Sequence, residues 1–191
     1  MKKYTDILRA IKPYNGIIYF LIVLFATHFL WKFVVDGDMN SQHIAIFGKD
    51  LTPLFYRLSQ WTNQAVFWFA GLFPGTENLS INDTLISFTD SNFRLRIIWG
   101  CTGVKQLYIF IAIIALYYGP WKKKLWYIPL GCILLSAFNI IRITAILFLT
   151  HHHSERFEFL HDQLFRYMYY GIIFLLWVYW EEKVRKPKIA E

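Results

Sequence analysis

Apolar residues gather into long blocks with short polar or basic breaks between them. The first block, 14–35, runs from Tyr14 to Val35 and stops at Asp36, Gly37 and Asp38. About 20 helical residues cross the roughly 30 Å hydrocarbon core of a bilayer, so this block predicts a spanning helix. Blocks 103–118, 125–150 and 164–180 predict three more. They are closed by Pro120 with Lys122, Lys123 and Lys124, by His151, His152 and His153, and by a tail carrying Lys183, Arg185, Lys186 and Lys188. The run 51–73 holds Leu54, Trp61, Phe67 and Trp68 but also Arg57, Gln60, Asn63 and Gln64. It predicts a segment that spans, re-enters or lies at the interface, where Trp is favoured.

Between 79 and 99 the period becomes two. Phe93, Leu95, Ile97 and Trp99 alternate with Arg94, Arg96 and Ile98, Leu85 to Phe88 is β-prone, and Thr89 to Asn92 reads as a turn. A small extracytoplasmic β-hairpin is therefore expected to lead into Cys101. The whole pattern predicts an all-α polytopic membrane protein, one membrane domain over 1–191. It should be a helical bundle of about four to five transmembrane segments, with a re-entrant or interfacial helix and that hairpin.

Charge orients the bundle. Lys and Arg number 20 against 13 Asp and Glu, a net charge of +7. The basic residues flank the apolar runs, which is the distribution of membrane topology and not of a nucleic-acid partner. The N-terminal segment (Lys2, Lys3, Arg9, Lys12), the triple-lysine loop and the C-terminal tail should all be cytoplasmic. Between Asp36 and Gly100 six acidic residues face four basic ones, so that region should be outside. One net crossing then separates it from the triple-lysine loop, and 51–73 should not be a simple crossing. The first block lacks an A-x-A-like cleavage site and exceeds a signal-peptide core, so it reads as a retained span. Only two cysteines occur, Cys101 and Cys132, too few for a disulfide framework.

Depth then selects the chemistry. Arg142 lies eight residues before Thr150, about 12 Å below the outer end of its helix. An arginine there is costly and faces the bundle interior or a watery cavity, unless it merely snorkels. Asn139 and Ser136, at steps of three, are expected to extend an inward polar stripe. Cys101 sits in Gly100-Cys101-Thr102-Gly103 where a helix begins, near Lys105, a setting expected to lower a thiol pKa. Cys132 reads as packing, most of a bilayer away in depth. His161, followed by Asp162, falls in the same outer leaflet, with His151, His152 and His153 as rivals or as a metal-binding cluster. No ligand spacing accompanies those histidines, so no metal and no cofactor is expected. A thiol, a histidine and an arginine together can perform acyl transfer: attack on a carbonyl, proton management and oxyanion stabilisation.

Cys101-Thr102-Gly103, Asn139-x-x-Arg142 and His161 resemble, in order and membrane setting, the exosortase/archaeosortase family, over about Arg94 to Gly171. The small size resembles a compact bacterial branch. The resemblance implies a cysteine-type membrane peptidase or transpeptidase, a hydrolase in class, in the cell (inner) membrane with its active site facing the outside or periplasm. Its partners would be the lipid bilayer and exported proteins carrying a C-terminal sorting signal, made of a short motif, a transmembrane helix and a basic cluster. A surface acceptor, polysaccharide or lipid, would receive them. The implied roles are Cys101 as nucleophile, His161 as general base and acid, and Arg142 as oxyanion or thiolate partner. Thr102, Gly103, Lys105 and Asn139 would support them or bind substrate. Thr102 stands where Ser is commoner, and the triple histidine lies outside the family pattern, leaving His161 or one of His151–His153 as the working base. Two other readings stay open: a non-catalytic envelope scaffold of the same fold, and a small metal or solute transporter using the histidines and Arg142.

Overall fold

The computed structural model describes residues 15–38, 43–90, 93–151 and 164–185. Among them are five α-helices and two small antiparallel sheets. Helix α1 is Asn15–Val34, α2 is Thr52–Ala70, α3 is Val104–Leu116, α4 is Trp121–Thr150 and α5 is Phe165–Tyr179, which continues as a π-helical turn over Trp180–Arg185. Helices α1 and α4 are long and apolar enough to cross a membrane, and α3 is apolar but shorter. The outer face of α1 is lipid-like in character: Phe25, Phe29 and Phe33 are 57%, 62% and 91% exposed. Apolar faces of this kind need a partner other than water.

Two apolar cores are strung along α4, which at 30 residues is about 45 Å long. The first joins Phe20 of α1, Phe110 and Ile114 of α3, Tyr127 and Leu135 of α4, and Ile173 and Trp177 of α5. Gly131 is the point of closest approach, since a Cβ there would lie 2.1 Å from the Phe110 ring. At the start of α4 the lysine cluster is part of the packing. Lys124 is 3% exposed. Its ammonium donates to the carbonyl oxygens of Ala115, at 2.7 Å, and of Tyr117, at the end of α3. It also lies 4.5 Å from the centre of the Trp121 ring. Carbonyls left over at a helix C-terminus favour such a cation.

The second core lies at the other end of α4, the cysteine end. Val66 and Ala70 of α2 meet Ile143 and Leu147 of α4, the buried residues Ile86, Phe88 and Leu95 of a three-stranded sheet, and Ile97 just after it. Its strands are β4 (Leu79–Asn82), β5 (Leu85–Phe88) and β6 (Arg94–Arg96). The alternation read from the sequence holds in β6, where Leu95 is buried between exposed Arg94 and Arg96. The hairpin has one strand more than expected, because β4 pairs with β5 through a tight turn in which Asp83 takes φ 57°.

That turn explains Gln60 and Asn63, two of the polar residues of the 51–73 run. Tyr56 donates to the Asp83 carboxylate, Gln60 does so at 2.8 Å, and the Asn63 amide donates to the Asp83 carbonyl at 2.8 Å. The polar face of α2 is thus the seat of a hairpin, and its apolar face joins the second core.

A second sheet was not expected. Strands β1 (Val35–Asp38), β2 (His43–Ile46) and β3 (Lys49–Asp50) follow α1 directly, so the chain leaves α1 as a strand. Phe47 and Gly48 make the β2–β3 turn with φ 52° and 74°. Two positive φ values in succession suit the twist of a two-residue hairpin. A further correction concerns Ser136, which is exposed and not part of an inward stripe. Each residue turns a helix by about 100°, so Ser136 lies roughly 120° around from Arg142, whereas Asn139 lies about 60° from it.

Candidate active site

Cys101 ends a 3-10 turn, Trp99–Cys101, between β6 and α3. Its amide donates to the Ile98 carbonyl at 2.8 Å, and the Thr102 hydroxyl donates to the Trp99 carbonyl at 2.7 Å. The Thr102 hydroxyl therefore staples the turn. Gly103 follows with φ 77° and caps α3. A Cβ on it would stand 3.0 Å from the Tyr169 hydroxyl and 3.3 Å from Asn139 Cγ. Glycine is needed here twice over, for the left-handed φ and for the close approach.

Three distant parts of the sequence meet at this turn. The Asn139 amide Nδ2 donates to the Cys101 carbonyl at 2.8 Å. Tyr169, from α5, donates to the Leu135 carbonyl at 2.9 Å, one turn before Asn139. Arg142 is 6% exposed, so it is interior and does not snorkel. Its charge acts on both Cys101 and Tyr169. Because Cys101 lies at the level of Asn139, it is seven positions, about 10 Å, along α4 from Cys132. The expected separation of most of a bilayer is too large. The reason is the shortness of α3, which at 13 residues sinks the turn into the bundle.

The thiol itself departs from expectation. Burial pushes its pKa up; a backbone hydrogen bond from Ile98 and the Arg142 charge pull the other way. Cys101 and Arg142 share a tight crevice of about 20 Å³ beside Arg96 and Ile143. Arg142 also lines a larger cavity of about 580 Å³ with Trp99, Lys105 and Tyr169. The guanidinium thus borders both spaces, the small one with the thiol and the large one without it.

Of the other residues singled out in the sequence, His151 stacks on Phe88 with ring centres 3.8 Å apart and sets Nε2 3.9 Å from Asp90 Oδ1. It is held against the hairpin. His161, Asp162, His152 and His153 lie outside the described residues. Among the described residues no three His, Cys, Asp or Glu side chains gather into a metal-holding group. Tyr169 went unnoticed in the sequence, although it follows the start of α5 by one turn and so falls at the depth used to find Arg142.

Residues 43–185 match the family model described as transmembrane exosortase, well over half of the chain. The chain belongs to the transmembrane exosortases. No curated protein and no solved structure matches it. As an exosortase it is a membrane protein of a family with peptidase or transpeptidase activity, in general terms, on exported proteins. The match covers the turn, Asn139, Arg142 and Tyr169, and it omits α1, which contributes His28, Trp31 and Lys32 to the larger cavity of this exosortase.

Proposed function

We propose that this exosortase is a cysteine-type transpeptidase with Cys101 as nucleophile and Arg142 as the partner of the thiolate and of the oxyanion. His161 is the general base and acid, and Asn139 and Gly103 position the nucleophilic turn. The observation that carries this reading is the Asn139 bond to the Cys101 carbonyl, which ties the cysteine motif to the Asn-x-x-Arg motif in one buried place. A protonated resting thiol fits an enzyme whose nucleophile is activated only when a base reaches it. Helices α3 and α5 complete a bundle of four crossings with α1 and α4, and α2 lies at the interface. The termini face the cytoplasm and the thiol lies towards the outer face of the inner membrane. The substrate is an exported protein whose C-terminal transmembrane helix docks beside the bundle; cleavage releases that helix with a new amino terminus, and a surface acceptor attacks the acyl thioester, takes the protein and frees the Cys101 thiol.

The test is co-expression with an exported protein bearing such a C-terminal signal, followed by its shortening on a gel. Wild type should shorten it, and Cys101→Ala should accumulate the full-length form at unchanged exosortase abundance. Processing by the Cys101→Ala variant would sink the thiol mechanism. A second reading, a scaffold that retains the fold without chemistry, is favoured by the place of the thiol, which lines the 20 Å³ crevice and not the larger cavity. It requires that no substrate be shortened by wild type while partner proteins still co-purify.

A further inference from the structure

The 580 Å³ cavity at the cysteine end has a charge pattern that peptide cleavage does not call for. It is walled by the last turns of α1, the first turn of α3 and the first turns of α5. Each contributes a cation: Lys32, Lys105 and Arg166, with Arg142 of α4 behind them. No aspartate or glutamate is among its described lining residues. Lys105 feels the like charges of Lys32 and Arg166, and His28 feels those of Lys105 and Lys32. Neither Lys32 nor Lys105 has an ion-pair partner among the described residues. The helix start adds to this field, since α3 has no side-chain cap and opens on the cavity with its first turn. Free N–H groups at a helix start favour an anion.

The sign is local and not a property of the whole bundle. A cavity of about 810 Å³ near the lysine end is lined by Glu181 and Glu182 beside Arg185. The cationic cavity also carries Trp31, Trp99 and Tyr170 on its walls. Indole and phenol rings collect at the headgroup level of a bilayer, and basic side chains there attract phosphate. A lone peptide carboxylate matches one cation, whereas a phosphate offers more oxygens to several converging donors.

We propose that this cavity is a binding site for a phosphate group, held by Lys32, Lys105 and the start of α3 between α1 and α5. The phosphate of a membrane lipid headgroup and a free diphosphate share this chemistry, and the experiment separates them. The cavity shares Arg142 with the proposed catalytic site, but binding there needs no thiol chemistry and can be tested without it.

Full-length protein in detergent is exchanged into micelles with phosphatidylglycerol and examined by native mass spectrometry, with and without inorganic diphosphate. Wild type should retain the lipid. The neutral pair Lys32→Gln/Lys105→Gln should retain it roughly thirtyfold less well. The pair Lys32→Arg/Lys105→Arg should keep it, which separates loss of charge from loss of fold. Retention that diphosphate displaces assigns the site to the lipid headgroup. Diphosphate adducts without lipid retention assign it to the free anion and keep the proposal. Equal retention in wild type and the neutral pair overturns it, as does binding of neither lipid nor diphosphate. Cys101→Ala should bind as wild type does, so failure of the thiol mechanism and failure of this site give different results.

Discussion

Cys101 and Cys132 are both free, partly exposed thiols, about 10 Å apart along α4. Their settings tell them apart. Cys132 fills space on α4 against the first core, among Ile, Leu and aromatic side chains. Cys101 sits in a turn whose carbonyl is held by Asn139, whose next glycine has a left-handed φ, and on which Arg142 acts. On the proposed reading, what fits Cys101 and not Cys132 for a nucleophile is the fixed backbone and the charge that faces it.

The sharpest way to break the comparison is to remove each thiol. Cys101→Ala should lower processing at least about a thousandfold and Cys132→Ala less than about twofold, read as the rate of substrate shortening. Equal losses would show that both act through packing. Next comes Arg142→Gln. It should slow processing roughly a hundredfold by removing the cation beside the oxyanion. It should also raise the Cys101 pKa further, since the Arg142 charge now pulls it down. Because burial already sets that pKa above the ordinary value, labelling by a thiol reagent should climb about tenfold per pH unit through neutrality, and be slower still in Arg142→Gln. A labelling rate flat across that range would contradict the raised value.

Asn139→Ala tests the tie between the motifs. It should cost about 1 to 3 kcal/mol in thermal unfolding in detergent, because a buried carbonyl loses its donor. Processing should fall with it, whereas no change in either would detach the two motifs. Gly103→Ala should cost about 1 to 2 kcal/mol for the left-handed backbone. The smallest effect belongs to Ser136→Ala, within about 0.5 kcal/mol, because that side chain is exposed.

Much of this was legible in the sequence, for reasons that the misses make plain. The apolar blocks gave α1, α3, α4 and α5 to within a few residues, and the alternation around Leu95 gave the hairpin. Arg142 and Asn139 were found because polar side chains in apolar helices need an interior. The β1–β3 sheet was not found, since Val35-Asp36-Gly37-Asp38 alternates too briefly and contains poor strand formers. Ser136 was misplaced by extending a three-residue step too far around the helix. The direction of the thiol pKa depends on how deeply the turn sinks, a tertiary property. The cationic cavity draws on α1, α3, α4 and α5 at once, and no local pattern in any one of them announces it.

The Lys124 contacts bear on how the protein enters its membrane. A helix of 13 residues, about 20 Å, is too short to be inserted by its own hydrophobicity across roughly 30 Å of hydrocarbon. Lys124 binds the trailing carbonyls of α3 from the first turn of α4, and Gly131 lets Phe110 lie against that helix. In the proposed bundle of four crossings the two helices would therefore be one unit of biosynthesis: α3 would enter lipid as the passenger of α4, in a helical hairpin closed at the lysine.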